Sequence, residues 1–325
     1  MTIQPSDLTP ELVTNIRSST FTVTADDGLK IYTKRWHVPE PTKRTAVLLF
    51  NHGFGSRVDN ADNFMPHLAR LGFEVVLFDQ RGAGKTSPGP LYALTDDTHV
   101  YADLDRVLEA VWELNETENT PEVPLVLWGT SMGGGIILNY GIRGKYRERV
   151  AGYAAFAPLV TVHPTSRPGV LTRAVLAAAA AAWPTLRRRA GLKPEHMTHD
   201  AHYLELFREA AASTAADAPG VFSVRMMHDM LVRGERLEDA EYVGGFVARP
   251  VGVFHSETDK VNDYAGARTF FELLPDRVPV KKFYTYEDSG HALMRETLDR
   301  VAQVVSDLVE FVELVESEYD KTKST

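Results

Sequence analysis

Four short runs, at 46–50, 74–78, 125–128 and 152–156, are apolar at almost every position, and longer stretches with one apolar face separate them. A strand that alternates apolar and polar side chains keeps one face in water, whereas a solidly apolar strand is buried on both, as the strands of a parallel sheet are. The intervening stretches include 61–71, 99–114 and 134–142, each long enough for a helix that carries the chain back to begin the next parallel strand. The pattern predicts an α/β fold, a mostly parallel central sheet with helices on both faces. Ahead of it, residues 21–24 and 29–36 alternate around Asp26-Asp27-Gly28, which predicts an antiparallel hairpin at the leading edge of the sheet.

The alternation of apolar runs and helical stretches stops after Pro158 and resumes near Pro250, with the run 251–254 and then 282–286. The expected organisation is a core whose first part covers 1–158, a helical cap inserted over 159–247, and the second part of the core over 248–325. Inside the insertion, the alanine-rich tract 174–182 favours helix, and Arg187-Arg188-Arg189 follows where cations would complement the dipole at a helix C-terminus. Met226, Met227 and Met230 fall at helical spacing beside Phe222 and Leu231. Ordinary helix packing and a flexible apolar wall for an acyl chain both fit that stripe.

Composition narrows the function classes. With 325 residues of which 44% are hydrophobic, the chain can bury a large core as one body with an insertion. A net charge of −9 and a pI near 5.7 argue against a nucleic-acid partner, which would call for a basic stripe. The absence of cysteine excludes disulfides, thiolate metal sites and a cysteine nucleophile. The start, Met1-Thr-Ile-Gln-Pro5, has neither the basic residues nor the apolar stretch of a secretory signal, so a cytoplasmic location is expected. The most apolar stretch, 170–183, contains Thr172 and Arg173 and falls short of the roughly 20 residues that a membrane span needs.

The chemistry concentrates at strand ends. Gly129-x-Ser131-x-Gly133 directly follows the apolar run 125–128 and opens a helix-like stretch. A serine attacks a carbonyl only when its hydroxyl is exposed on a sharp strand-to-helix turn, and small residues two positions to either side make room for that turn. Ser131 is therefore the candidate nucleophile. It needs a base and a group to orient that base. His291 follows the last predicted strand and is the leading base, with His255 and His52 as competitors; His52 fits better as a structural group holding its loop. Asp259, in the loop after 251–254, is the candidate acid, with Glu257 and Asp263 as rivals. The order Ser131, Asp259, His291 is the one used on α/β-hydrolase sheets. Oxyanion donors are expected from the backbone amides of Phe54, in the turn Asn51-His52-Gly53-Phe54-Gly55, and of Met132. This chemistry needs no cofactor and no metal.

Two other patterns carry less. Gly84-Lys85-Thr86 lacks the glycine of a phosphate loop, since Asp79 stands in its place. His196, His199 and His202 could share a helix face and bind zinc, but their charged surroundings fit a solvated helix of the insertion better.

Taken together, the chain resembles the monoglyceride lipases of the α/β-hydrolase superfamily, in particular their fungal branch. The residues that carry the resemblance are His52-Gly-Phe-Gly55, Phe78-Asp-Gln-Arg-Gly-Ala-Gly84, Trp128-Gly-Thr-Ser-Met-Gly-Gly-Gly135, Leu138-Asn-Tyr140, Thr258-Asp-Lys-Val-Asn-Asp263 and Gly290-His291. It spans residues 20 to 315 and implies the same assignment: Ser131 as nucleophile, Asp259 as acid, His291 as base, Phe54 and Met132 as oxyanion amides. It further implies cleavage of monoacylglycerols to fatty acid and glycerol under an apolar cap, with peripheral attachment to membranes or lipid droplets. Three positions depart from the family pattern: Thr130 for the histidine before the nucleophile, Ser256 for a glycine, and Ser56 for a glutamate near the glycerol end of the substrate. Two alternatives stay open beside the lipase: an esterase or lysophospholipase using the same triad on another ester, peptide or lactone, and a hydrolase-fold protein that binds a lipid or hormone-like ligand without turning it over.

Overall fold

The structure, a computed structural model, describes residues 1–61, 64–215 and 218–323. Strands β1 (Ser18–Thr24) and β2 (Lys30–Trp36) form the antiparallel hairpin, Phe21 opposite Thr33. There follow β3 (Ala46–Asn51), α1 (Met65–Arg70), β4 (Phe73–Phe78), α2 (Asp97–Thr117), β5 (Leu125–Thr130), α3 (Met132–Arg143) and β6 (Gly152–Phe156). The next stretch holds α4 (Val170–Ala182), β7 (Arg187–Arg189), α5 (Ala201–Ala212), β8 (Val221–Ser223), α6 (Val224–Glu235) and α7 (Ala240–Val243). The chain closes with β9 (Val251–Ser256), α8 (Tyr264–Leu273), β10 (Lys281–Tyr286) and α9 (Leu298–Lys323).

Eight strands make one sheet in the order β1-β2-β4-β3-β5-β6-β9-β10, antiparallel only where β2 meets β1 and β4. The hairpin forms its leading edge, as the alternating pattern predicts. The solidly apolar runs are explained by the two cores on either side of this sheet. Along β3, Val47 and Leu49 enter one core with Leu104, Leu108 and Val111 of α2 and Phe270 of α8, while Ala46, Leu48 and Phe50 enter the other with Leu68 of α1 and Leu308, Phe311 and Val312 of α9. Each fully buried side chain of this size contributes about 1.5–3 kcal/mol, so a polar substitution on either face of β3 would be costly.

The order also fixes where a site can form. From β3 the chain winds outward to β4 and then returns to lay β5 on the other side of β3, so the loops after β3 and β5 part company at a switch point. Open α/β sheets bind ligands in the crevice at such a point, outside the carboxyl ends of the strands.

Three local expectations need correction. The helix expected at 61–71 is confined to Met65–Arg70 and follows a 3₁₀ turn at Val58–Ala61, with residues 62–63 lying outside the described part of the chain. Arg187-Arg188-Arg189 does not close a helix: it forms β7, antiparallel to β8, and Arg187 and Arg189 donate to the carbonyls of Tyr92 and Ser213. His196, His199 and His202 share no helix either, because His196 ends a 3₁₀ turn and α5 begins only at Ala201, with Asp200 accepting from Tyr203 N as its N-cap.

Candidate active site

Between the last residue of β5 and the first of α3 there is room for one residue, Ser131, and it takes φ 53°, ψ −117°. A non-glycine backbone held there costs about 1–3 kcal/mol and persists only when its surroundings over-determine it. They do: Ser131 N donates to Phe156 O (2.9 Å), and Ser131 O accepts from Gly135 N (3.0 Å) and Leu159 N (2.9 Å). The flanking glycines are required by contact. A Cβ on Gly129 would sit 2.5 Å from Gly133 O, and one on Gly133 would sit 2.1 Å from Asn51 O. The Gly-x-Ser-x-Gly spacing thus packs strand, turn and helix so closely that the serine side chain is pushed out toward the switch point.

Asp259 and His291 come from the loops after β9 and β10, which are parallel neighbours. His291 Nδ1 donates to Asp259 Oδ2 at 2.7 Å, and both residues are buried. The other oxygen of Asp259 accepts from Val261 N (2.7 Å) and Asn262 N (3.1 Å). Burial opposes ionisation of this carboxyl, but the charge and hydrogen bond of His291 outweigh it and hold Asp259 below the usual carboxylate range. With Nδ1 donating, Nε2 of His291 carries the lone pair and can act as a base. Ser131 Oγ is not hydrogen-bonded to His291; its partner is Asn262 Nδ2 at 3.5 Å, which also donates to Ala157 O at 2.7 Å.

The rival residues are otherwise engaged. Asp263 caps α8 and pairs with Arg167, and Glu257 is exposed. His255 is fully buried in β9 with Nδ1 on Ser256 O. His52 accepts from Gln80 N through Nε2 (3.1 Å) and donates from Nδ1 to Gly53 O (2.9 Å), which ties the β3 loop to the turn after β4. Asp79, where a phosphate loop would have glycine, reinforces the same tie by accepting from Val58 N (2.7 Å) and Lys85 N (2.6 Å). This brace holds the turn that carries Phe54. Among the described residues, neither Phe54 N nor Met132 N donates to a protein acceptor. Two free amides, one of them at a helix N-terminus, make a candidate anion cradle.

Beside Phe54 and Met132 lies a cavity of about 20 Å³, with Tyr92, Ile136, Val221 and Met226 among its walls, room for about one water. Met226 and Met230 of α6 are both buried, so the methionine stripe faces inward, and Met226 belongs to the cavity wall. Three residues near these loops are given no role by the sequence: Glu296, Asn262, which lies inside Thr258-Asp-Lys-Val-Asn-Asp263, and Ser256, which stands out only as a departure from the family pattern. Ser256 Oγ donates to Ser289 O (2.7 Å), two residues before His291, and Thr258 Oγ1 donates to the same oxygen (2.9 Å). The hydroxyl at a position where the family resemblance implies glycine therefore ties the loop of Asp259 to the loop of His291.

Residues 42–298 match the family model described as serine aminopeptidase, S33. The monoglyceride lipase of Saccharomyces cerevisiae is 34% identical over 285 residues, covering 86% of this chain and 88% of the relative. The chain belongs to the monoglyceride lipase family. It is a monoacylglycerol lipase-like carboxylic ester hydrolase of the α/β-hydrolase fold. A second family member, the putative monoglyceride lipase of Schizosaccharomyces pombe, is 31% identical over 303 residues, covering 89% of this chain and 75% of the relative. The crystal structure of a soluble variant of the Saccharomyces cerevisiae monoglyceride lipase, in complex with a substrate analog, superposes with a TM-score of 0.81 at 30% identity, over 94% of this chain and 96% of that one. The Paleococcus ferrophilus monoacylglycerol lipase shares the fold, with a TM-score of 0.69 at 18% identity over 88% of this chain and 99% of that one.

Proposed function

We propose that this member of the family cleaves monoacylglycerols to a fatty acid and glycerol, using Ser131 as nucleophile, His291 as base and Asp259 as the acid that orients it. The observation that carries the reading is the buried 2.7 Å bond between His291 Nδ1 and Asp259 Oδ2, in a chain whose one Gly-x-Ser-x-Gly turn holds its serine at a strained backbone angle. The Saccharomyces cerevisiae relative, named for this substrate class and solved with a substrate analog, supports the choice of a lipid ester.

In the first half-reaction Ser131 Oγ rotates from Asn262 onto His291 Nε2, gives up its proton there and bonds to the ester carbonyl carbon. Such contacts are often long without substrate and tighten in the complex. The carbonyl electron pair moves onto oxygen, where the Phe54 and Met132 amides receive it; one such donor is worth about 2.7–4 kcal/mol in comparable sites. Collapse of the intermediate breaks the bond to the glycerol oxygen, which leaves with the proton from His291. Water then repeats the sequence on the acyl-serine and releases the fatty acid. Asp259 stays ionised throughout and stabilises the imidazolium that forms twice per cycle.

The stretch 159–247 acts in this reading as a cap over the acyl site. Its helix α4 exposes Val170 (87%), Leu171 (78%) and Val175 (61%), and the C-cap residue Trp183 (66%) is exposed as well. An apolar patch of this kind on the cap suits a lipid surface, from which substrate would be drawn. Among the described residues no helix is long and apolar enough to cross a membrane, so attachment would be peripheral.

The test is fatty-acid release from 1-oleoylglycerol by the purified chain, with a short p-nitrophenyl ester run in parallel and Ser131→Ala as the blank. Release from the monoglyceride is expected, falling by on the order of 10⁶-fold in the variant. Hydrolysis of the short ester alone would transfer the assignment to the esterase reading, and turnover by Ser131→Ala would overturn the site.

A further inference from the structure

Glu296 is buried; the imidazole of His199 stands 3.9 Å from its Oε1, and its hydrogen bonds come from backbone amides. Its Oε1 accepts from Gly290 N at 2.5 Å and from His199 N at 3.0 Å, and its Oε2 accepts from Thr297 N at 3.3 Å. Gly290 directly precedes His291, and His199 lies in the cap, 97 residues away from Glu296 along the chain. One oxygen thus joins the loop of the base to the cap. The next two amides of that loop also go to the cap: His291 N donates to His196 O (3.0 Å) and Ala292 N to Met197 O (2.8 Å). The contact is close enough that a Cβ on Gly290 would lie 2.6 Å from the carbonyl carbon of Met197. On the far side, Thr198 Oγ1 donates to Arg295 O at 2.5 Å, next to Glu296.

Three consecutive amides, 290 to 292, are therefore satisfied by the cap or by a carboxylate that the cap shares. A buried carboxylate is tolerated only when hydrogen bonds replace its lost hydration, and bonds to an ionised acceptor are roughly twice as strong as neutral ones. We propose that Glu296 is a positioning residue for the reaction: it locks the His291 loop to cap residues 196–199, so that the base stands in register with Ser131 only while that segment is seated. The proposal rests on the assignment of His291 as the base. It makes the base loop responsive to the cap, because any displacement of 196–199 breaks bonds on both sides of the imidazole.

The test uses the purified full chain and a soluble short p-nitrophenyl ester, with kcat referred to sites titrated by a fluorophosphonate. In Glu296→Ala and Glu296→Asp, of which the latter is one methylene too short to reach both amides, kcat is expected to fall by roughly 10- to 100-fold with KM nearly unchanged, the scale of an ångström-level misplacement. Glu296→Gln keeps an oxygen that can accept both amides and is expected to recover most of the loss. The low-field proton resonance of the His291–Asp259 hydrogen bond should persist in the glutamine variant and be lost or broadened in the other two. If alanine does not fold, the aspartate variant carries the test. Wild-type kcat per titrated site in Glu296→Asp, with thermal stability alone reduced, would reduce Glu296 to a structural group and overturn the proposal. That outcome is distinct from failure of the site itself, which would appear as turnover in Ser131→Ala or in His291→Ala.

Discussion

Gly133→Ala is the sharpest probe of how the Ser131 turn is built, because its contact is with backbone. The added methyl would lie 2.1 Å from Asn51 O and 2.7 Å from both Asn51 C and His52 O, all inside the 3.0 Å below which such contacts essentially never occur. No side chain can rotate away to relieve this. The helix or the β3 loop must move, and that loop carries Phe54. Overpacking of this kind costs about 1–3 kcal/mol, offset in part by the 0.5–1 kcal/mol that alanine gains over glycine inside a helix, so the net loss of stability is about 1 kcal/mol. The effect on turnover is larger. A displacement approaching 1 Å between the amides of Phe54 and Met132 and the serine between them should lower kcat about 100-fold, the scale of a misplaced or lost oxyanion donor. The assay is steady-state hydrolysis of a soluble short ester together with a thermal melt. Gly169→Ala serves as the control, since it has φ −66° and nothing within 4 Å of the added carbon. Wild-type kcat in Gly133→Ala would refute the argument that this packing aims the oxyanion cradle.

Other consequences can be measured directly. Asp259→Asn, which leaves the imidazole in the wrong tautomer, should lower kcat by about 10⁴-fold with little change in fold, read by the same ester assay and by circular dichroism. Burial depresses the pKa of His52, His67 and His255 below the ordinary value of 6.5. The unfolded chain therefore binds more protons than the native one in that range, and the stability these groups contribute is complete above pH 6.5 and lost as pH falls below it. Urea midpoints that decline between pH 7 and pH 5 would bear this out, and a flat profile would contradict it. On the cap, Leu171→Ser with Trp183→Ser should weaken binding to lipid vesicles and slow hydrolysis of emulsified monoglyceride, while leaving the soluble short ester unaffected; equal losses on both substrates would remove the lipid-surface role from α4.

Much of the architecture was legible because burial writes itself into the sequence. The unbroken apolar runs of β3, β4, β5 and β6 reflect two cores at once, and the hairpin of β1 and β2 alternates because it lies at the edge. The turn at Ser131 was legible because it excludes side chains at 129 and 133, a steric demand only glycine meets. Asp259 and His291, nominated by their places after strands, are joined by a hydrogen bond because β9 and β10 are neighbours in register. What stayed hidden depends on partners far away in sequence. Three arginines carry no strand periodicity, and β7 exists only because β8 lies beside it. Glu296 has no local pattern that distinguishes it from a surface acid, and its burial follows from how residues 196–199 lie against the loop before it. In sequence Ser256 registers only as a departure from the family pattern; its role in joining the two loops depends on the fold bringing Ser289 within reach of its hydroxyl.

The adjacency of β6 and β9, paired in parallel from Tyr153 opposite Val251 to Phe156 opposite Phe254, has a bearing on how this enzyme can diversify. All of α4 to α7 lies between two strands that must be linked by some crossover, so the chain there is a connector whose length the sheet hardly senses. The entropic cost of closing a longer loop grows only as the logarithm of its length, about 0.6 kcal/mol for each doubling. Insertions and wholesale replacement in that connector are therefore cheap for folding, down to a floor of roughly a dozen residues below which a parallel pair cannot be joined. Drift in what the enzyme accepts can proceed there while the strands that aim the serine, the histidine and the aspartate stay as they are. The limit on such drift is the short stretch 196–199, whose carbonyls and amide must still meet Glu296 and the loop of His291.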